Sequence, residues 1–169
     1  MEILGIAGNG NSQAKEKKDA RENALGNALS GEARWQLALE GTGIGIWDWN
    51  IEAGEVFYSP MWAATLGYKP DEIKGTTEEW CSRIHPDDLD PCYHSLRMHL
   101  LGMTPIYHHQ HRILCKDGRY KWVLDRGKVV QRADDGRPLR FICTQSDITG
   151  RKRERELIWA RSEELAWML

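Results

Sequence analysis

The sequence predicts an α+β fold, because five runs rich in β-branched and aromatic residues flank a block of short helical segments. Two of these runs come early and three come late, and we expect strands at 44–51, 56–58, 105–115, 120–130 and 139–146. The turns within each group are short and contain glycine, as at Gly54, Gly118 and Gly136. Short turns join antiparallel neighbours, so both groups are expected to be antiparallel.

Apolar residues at helical spacing fill the stretch between the two groups of strands. We expect helical segments, in chain order, at 60–66, 71–73, 77–80 and 89–101. Proline at position 60 suits a first helical turn, and Asp87 or Asp88 is expected to cap the longest helix. The apolar stripe of that helix consists of Leu89, Tyr93, Leu96 and Leu100.

The composition indicates one domain with an extension at each end. Of 169 residues, 41% are hydrophobic, which suits a single core, and we divide the chain into 1–31, 32–150 and 151–169. The first segment is predicted to be a flexible start and an amphipathic helix, and the last an amphipathic helix with alternating charges. A lone helix lacks a partner for its apolar face, so these terminal helices are expected to form a homodimer.

Charge and cysteine content exclude several classes of partner. The formal net charge is −2, which gives no attraction to nucleic acid, and no apolar run approaches the roughly 20 residues of a membrane span. The first residues lack the pattern of a signal peptide. Four scattered cysteines without a CxxC pair indicate reduced thiols, so we expect a cytoplasmic protein.

Several short motifs follow one another in a fixed order. They are Gly45-Ile46-Trp47-Asp48-Trp49-Asn50, Leu66-Gly67-Tyr68, His85-Pro86-Asp87-Asp88, Lys116-Asp117-Gly118, Trp122-Val123-Leu124-Asp125-Arg126-Gly127, Asp135-Gly136-Arg137-Pro138 and Asp147-Ile148-Thr149. In this order and spacing they closely resemble the PAS family with its C-terminal PAC motif, over about residues 32–153. The resemblance implies a five-stranded antiparallel sheet with short helices over one face, enclosing a small cavity.

The resemblance also implies a sensory or regulatory role. PAS domains serve as input or dimerisation modules, and in bacteria they usually precede an output domain such as a histidine kinase or a diguanylate cyclase. Asp147, Ile148 and Thr149 resemble the junction where the last strand passes into a signalling helix. Asp147 can bond to nearby backbone or to Arg126, and Thr149 can cap the helix. A turn and cap with a structural role alone is the alternative.

Apolar residues of the predicted strands and helices form a candidate ligand pocket. They are Trp47, Trp49, Phe57, Met61, Trp62, Trp80, Ile84, Leu96 and Ile142. An aromatic cavity with a few polar groups is a common small-molecule site, although the same residues could fill a core without a ligand. His109 and His111 share one strand face and could be polar handles for a ligand, a pH-sensitive pair or partly solvated side chains.

The residues predict neither a cofactor nor catalysis. His109 and His111 lack an apparent third metal ligand, and His94 and His99 are interpreted as solvated histidines rather than haem ligands. The reactive-cysteine stretch of flavin-binding relatives does not occur, and neither does a nucleophile elbow or an HExxH motif. We therefore expect an input domain that is not an enzyme. The alternatives are a pure interaction module, or a small enzyme or ligand carrier that uses the histidines.

Overall fold

The computed structural model describes Leu39 and residues 41–167. The sheet and its helices belong to one compact unit at 43–169. The predicted flexible start and helical extension at 1–31 lie outside the described residues.

Five strands form one antiparallel sheet, as the resemblance implied. In chain order they are β1 Gly45–Asn50, β2 Glu55–Tyr58, β3 Tyr107–Leu114, β4 Tyr120–Arg132 and β5 Pro138–Asp147. Across the sheet the order is β2-β1-β5-β4-β3, and every neighbouring pair is antiparallel. The last strand therefore lies in the centre of the sheet, between β1 and β4, and leads directly out of the domain.

Short helices follow β2, and a long helix follows β5. The helices are α1 Pro60–Thr65, α2 Thr77–Cys81, α3 Pro86–Leu100 and α4 Thr149–Trp167, with a 3-10 turn at Pro70–Glu72. Ser59 caps α1, because its hydroxyl accepts a hydrogen bond from the N–H of Trp62 at 3.3 Å. Among the described residues, no helix has both the length and the apolar character needed to cross a bilayer.

The start of α3 differs from the prediction. The helix begins at Pro86, and the ring of His85 rather than Asp87 or Asp88 accepts the capping bond, from the N–H of Asp87 at 3.2 Å. Asp88 instead accepts bonds from the backbone N–H of Arg112 at 2.8 Å and from its guanidinium at 2.7 and 2.9 Å. Because Arg112 engages both oxygens of that carboxylate, Asp88 ties α3 to β3 instead of capping.

The core lies on one face of the sheet. Trp47 and Phe141 point inward from β1 and β5 and pack with Trp62 of α1 and Trp80 of α2. Gly45 allows α1 to lie close to β1, because a Cβ at this position would lie 2.7 Å from Cα of Trp62. This close packing places α1 directly over β1.

Candidate ligand-binding site and signalling junction

A small pocket lies between the sheet and helices α2 and α3. Its volume is about 150 Å³, and it is lined by Trp47, Trp49, Tyr58, Thr77, Trp80, Cys81, Tyr93 and Leu96. The rings of Trp47 and Trp80 stack with centroids 5.2 Å apart, and Tyr93 meets Trp80 edge-on at 6.3 Å. Drug-sized ligands occupy pockets of about 300–1,000 Å³, so this one suits only a compact molecule.

The predicted pocket residues divide into three groups. Those that line the pocket are Trp47, Trp49, Trp80 and Leu96. Trp62 and Ile84 are buried in the surrounding core, and Met61 is half-buried at the start of α1. The third group is Phe57 and Ile142, whose side chains lie outside the pocket.

Phe57 and Ile142 do not face the pocket, which corrects the prediction. Phe57 is 61% exposed, because alternation along β2 turns Val56 and Tyr58 inward instead. Ile142 lies between two buried residues of β5, and its side chain therefore lines a groove on the outer face of the sheet. Both residues are apolar, but each occupies an outward-facing position in the two-residue repeat of its strand.

Asp125 is a fully buried carboxyl group on the inward face of β4. The residue directly opposite on β5 is Gln145, which is also buried. Burial raises the pKa of Asp125 to about 7, although hydrogen bonding from Gln145, Trp80 and Trp47 lowers it in part. The carboxyl group is therefore partly protonated near neutral pH.

We call Asp125, Gln145, Trp47 and Trp80 the Asp125 cluster. Over residues 41–167, the carboxyl oxygens, both polar atoms of the Gln145 side chain and the two indole N–H groups have no partner with good hydrogen-bond geometry. These groups are near enough to lower the pKa of Asp125, so their contacts with it are long rather than absent. Buried polar groups are nearly always paired with protein or water, so the cluster has donors and acceptors available for a bound molecule.

His111 connects the Asp125 cluster to a second group of polar side chains. Its ring is fully buried, with Nε2 4.0 Å from Oδ2 of Asp125 and Nδ1 3.8 Å from Sγ of Cys92. Burial, together with nearby His109, lowers the pKa of His111 to about 4, so the imidazole is neutral at pH 7. Sγ of Cys92 also lies 3.2 Å from the hydroxyl of Tyr107, and burial raises the pKa of this thiol to about 12.

His99 is a buried structural residue, which corrects its interpretation as solvated. Its Nδ1 donates to the carbonyl of Thr104 at 2.9 Å, and its Nε2 accepts from the N–H of Val129 at 3.0 Å. Both ring nitrogens are thus occupied by backbone groups, and the bond from Val129 joins α3 to β4. His94 is exposed on the same helix, as expected.

Asp147 forms the end of β5 and the beginning of the exit helix. Its Oδ1 accepts from the N–H of Thr149 at 2.9 Å, and its Oδ2 lies 3.1 Å from Nζ of Lys121. The predicted partner Arg126 lies elsewhere, because the register places Asp147 opposite Val123 and Arg126 opposite Thr144. Lys121 therefore replaces Arg126 as the basic residue of the junction.

Ile148 and Thr149 attach α4 to β4. Ile148 is buried, and its N–H donates to the carbonyl of Trp122 at 2.9 Å. The hydroxyl of Thr149 accepts from the N–H of Trp122 at 3.0 Å, so Thr149 bonds the neighbouring strand rather than capping the helix as predicted. Nζ of Lys152 then lies 4.3 Å from the centre of the Trp122 ring, which is a cation–π distance.

The sequence and the structure were compared with known proteins. A family model described as PAS fold matches residues 55–145. The crystal structure of a sensory box histidine kinase/response regulator from Burkholderia thailandensis is 32% identical over 79% of this chain and 98% of that structure, with a TM-score of 0.68. The N-terminal domain of a diguanylate cyclase with PAS/PAC sensor from Marinobacter aquaeolei is 26% identical over 64% of this chain and 98% of that structure, with a TM-score of 0.56.

The sheet order, the helices over one face and the exit helix define a domain of a class that typically serves as a sensory input module. The chain belongs to the PAS fold family. A curated relative, the methyl sulfide methyltransferase-associated sensor of Methanosarcina acetivorans, is 26% identical over 85% of this chain and 14% of the relative. The chain spans only 12% and 14% of the lengths of the curated relatives it matches.

Proposed function

We propose that the chain is a non-catalytic sensory domain that couples occupation of its pocket to an output domain through α4. A histidine kinase or a diguanylate cyclase is the proposed kind of output, because the similar solved structures come from such proteins. The observation that carries the proposal is the Asp125 cluster, in which polar atoms without well-formed hydrogen bonds are buried beside an aromatic pocket.

The proposed ligand is a compact, partly aromatic molecule with both a hydrogen-bond acceptor and a donor. Trp47 and Trp80 line the pocket with their rings, and their indole N–H groups lack good partners, so they can donate to the ligand's acceptor. Asp125 and Gln145 are buried outside the set of residues that line the pocket, and they can accept from a donor of a ligand that reaches past the two indoles. A volume of about 150 Å³ limits the size of the molecule.

The route of coupling is short. Gln145 precedes Asp147 by two residues on β5, and Asp125 follows Trp122 by three residues on β4. A ligand that bonds to the Asp125 cluster alters how β4 and β5 pack at their centre. Because Trp122 and Asp147 hold the start of α4, the same change reaches the direction in which α4 leaves the domain.

A dimerisation module is the second candidate function, and α4 is the feature that favours it. Leu157, Ile158 and Trp159 are 72%, 62% and 65% exposed. Successive helical positions are about 100° apart, so these side chains spread around the helix and present apolar surface over a wide arc. We propose that α4 pairs with α4 of a second copy.

We also propose a cytoplasmic location for the domain. The free thiols of Cys81, Cys92, Cys115 and Cys143 fit that location.

Native mass spectrometry of the purified full chain tests the ligand and the dimer together. We expect a bound molecule of low mass on the wild type and its loss from Trp80→Phe, which keeps an aromatic ring, though a smaller one, and removes the indole N–H. Trp159→Phe on exposed α4 is the matched control. Equal retention by the Trp80 variant contradicts the proposed site. A wild type that is dimeric and carries no molecule supports the dimerisation module instead.

A further inference from the structure

Cys92, His109 and His111 bring three metal-ligating side chains together from two elements. Cys92 lies on α3, and the two histidines lie two residues apart on the inward side of β3. One ligand atom from each residue lies within 4.8 Å of the others. Both Cys92 and His111 are fully buried, whereas His109 is half-buried and provides a route from solvent.

The separation between the two buried ligands fits a tetrahedral zinc ion. Bond lengths of about 2.3 Å to sulfur and about 2.0 Å to nitrogen place the two ligand atoms about 3.5 Å apart at a tetrahedral angle. Sγ of Cys92 and Nδ1 of His111 are 3.8 Å apart. The ring of His109 has to approach by about 1 Å, and its Nδ1 has no other hydrogen-bond partner among residues 41–167.

The surroundings of His111 provide a second observation that favours a metal site. With Nδ1 directed at Cys92, Nε2 is buried without a good hydrogen-bond partner and faces Oδ2 of Asp125 at 4.0 Å. Metal-bound histidines almost always donate their other N–H to a carboxylate, a carbonyl or water. Asp125 is therefore placed to orient the ring of His111 after a small approach of the two side chains.

We propose that Cys92, His109 and His111 form a binding site for a single zinc ion, with Asp125 as a positioning residue. One thiolate and two neutral imidazoles form a ligand set that zinc prefers. The hydroxyl of Tyr107, 3.2 Å from Sγ of Cys92, or a water molecule completes the coordination. Binding requires release of the thiol proton of Cys92 to solvent, as metal binding to cysteine does in general.

This site goes beyond the proposed function, since it requires no organic ligand. Absence of metal binding would leave the proposed pocket and its coupling to α4 in place. Presence of a metal would fix α3 to β3 across the core, at a point 4.0 Å from Asp125.

Titration of the reduced full chain with Zn²⁺ against a chromophoric chelator tests the proposal, with Co²⁺ as a spectroscopic probe. We expect one ion per chain, a thiolate-to-cobalt charge-transfer band and visible bands typical of tetrahedral Co²⁺. Cys92→Ser and His111→Gln should lose the charge-transfer band or weaken zinc affinity at least about tenfold. Asp125→Asn should retain the band with an affinity about tenfold lower, because the ligands remain but one is less well oriented.

Two matched controls separate this site from adventitious binding. His108→Gln changes the exposed histidine that precedes His109 on β3, and Cys115→Ser changes a cysteine outside the cluster; both should bind like the wild type. Since Cys92→Ser could fail to fold, X-ray absorption of the zinc-loaded wild type is the second measurement, and one sulfur with two imidazoles is expected. A wild type without stoichiometric zinc, a zinc shell without sulfur, or equal loss in the controls overturns the proposal.

Discussion

Asp125 on β4 and Gln145 on β5 lie directly opposite each other in the sheet, and both side chains are buried, with 0% and 1% exposure. Farther along the same pair of strands, Asp147 and Trp122 hold the beginning of α4. Asp125 and Gln145 therefore lie on the two strands that anchor the exit helix.

Replacing Asp125 by asparagine should change how stability depends on pH. The folded pKa of about 7 lies above the ordinary 3.8, so the folded state binds more protons between these values and loses stability as the pH rises through them. Asp125→Asn lacks this loss. Its free energy of unfolding should therefore rise relative to wild type by up to about 1.4 kcal/mol per pH unit.

Urea unfolding of metal-free protein at several pH values between about 4 and 7 measures this difference. Asp134→Asn, at an exposed position in the turn between β4 and β5, is the matched control, and its free energy of unfolding should depend on pH as that of the wild type does. Parallel curves for Asp125→Asn and wild type would show that the buried carboxyl group titrates normally.

The contact between Asp88 and Arg112 should stabilise the fold except in strong acid. The hydrogen bonds from Arg112 lower the pKa of Asp88 to about 2 from an ordinary 3.8, so this stabilisation is complete above about pH 4 and is lost as the pH falls through 2. We expect Asp88→Asn to unfold at a lower urea concentration than wild type at pH 7. Asp87→Asn, at the exposed neighbouring position, should have a much smaller effect.

Thr149→Val should loosen the start of α4 while the sheet stays intact. The variant leaves the N–H of Trp122 without its acceptor at 3.0 Å, and a lost hydrogen bond of about 1 kcal/mol corresponds to about fivefold faster local amide exchange. Hydrogen exchange at residues 148–153 measures the effect. Thr144→Val removes a hydroxyl from the outer face of β5 and should leave these residues unchanged.

Gly45→Ala should destabilise the domain by about 1–3 kcal/mol, because the new methyl group would meet the backbone of α1 at Trp62. Thermal or urea unfolding measures the change. Gly150→Ala has open space around its new methyl group and should be neutral or slightly stabilising within α4. Equal stability of Gly45→Ala and wild type would mean that α1 does not lie closely against β1.

The strands could be predicted from sequence because their residues and turns are local signals. Which side chains of a strand face the core was harder to predict where both faces carry apolar residues, as at Phe141 and Ile142 on β5. Asp125 belongs to one of the sequence motifs, but the motif alone does not mark it as a site residue. Its two-residue spacing from Val123, an inward apolar position, is a signal that could have identified it.

Contacts between distant segments could not be predicted from the sequence. Cys92 is 19 residues from His111, and only the packing of α3 on β3 brings their side chains together. His99 was interpreted as solvated because its own helix gives no sign of the backbone N–H of Val129 that it binds. The end of the last strand and the start of the exit helix could be placed from the sequence, but the choice of Lys121 over Arg126 as the partner of Asp147 depends on the β4–β5 register.

Hydrogen exchange on the full chain, comparing wild type with Asp125→Asn, tests the central claim most directly. The account predicts altered exchange at residues 148–152, at the start of α4, with β2 unchanged. A change confined to the strands around position 125, with α4 exchanging as in wild type, would contradict the claim that the interior of this PAS domain communicates with its exit helix.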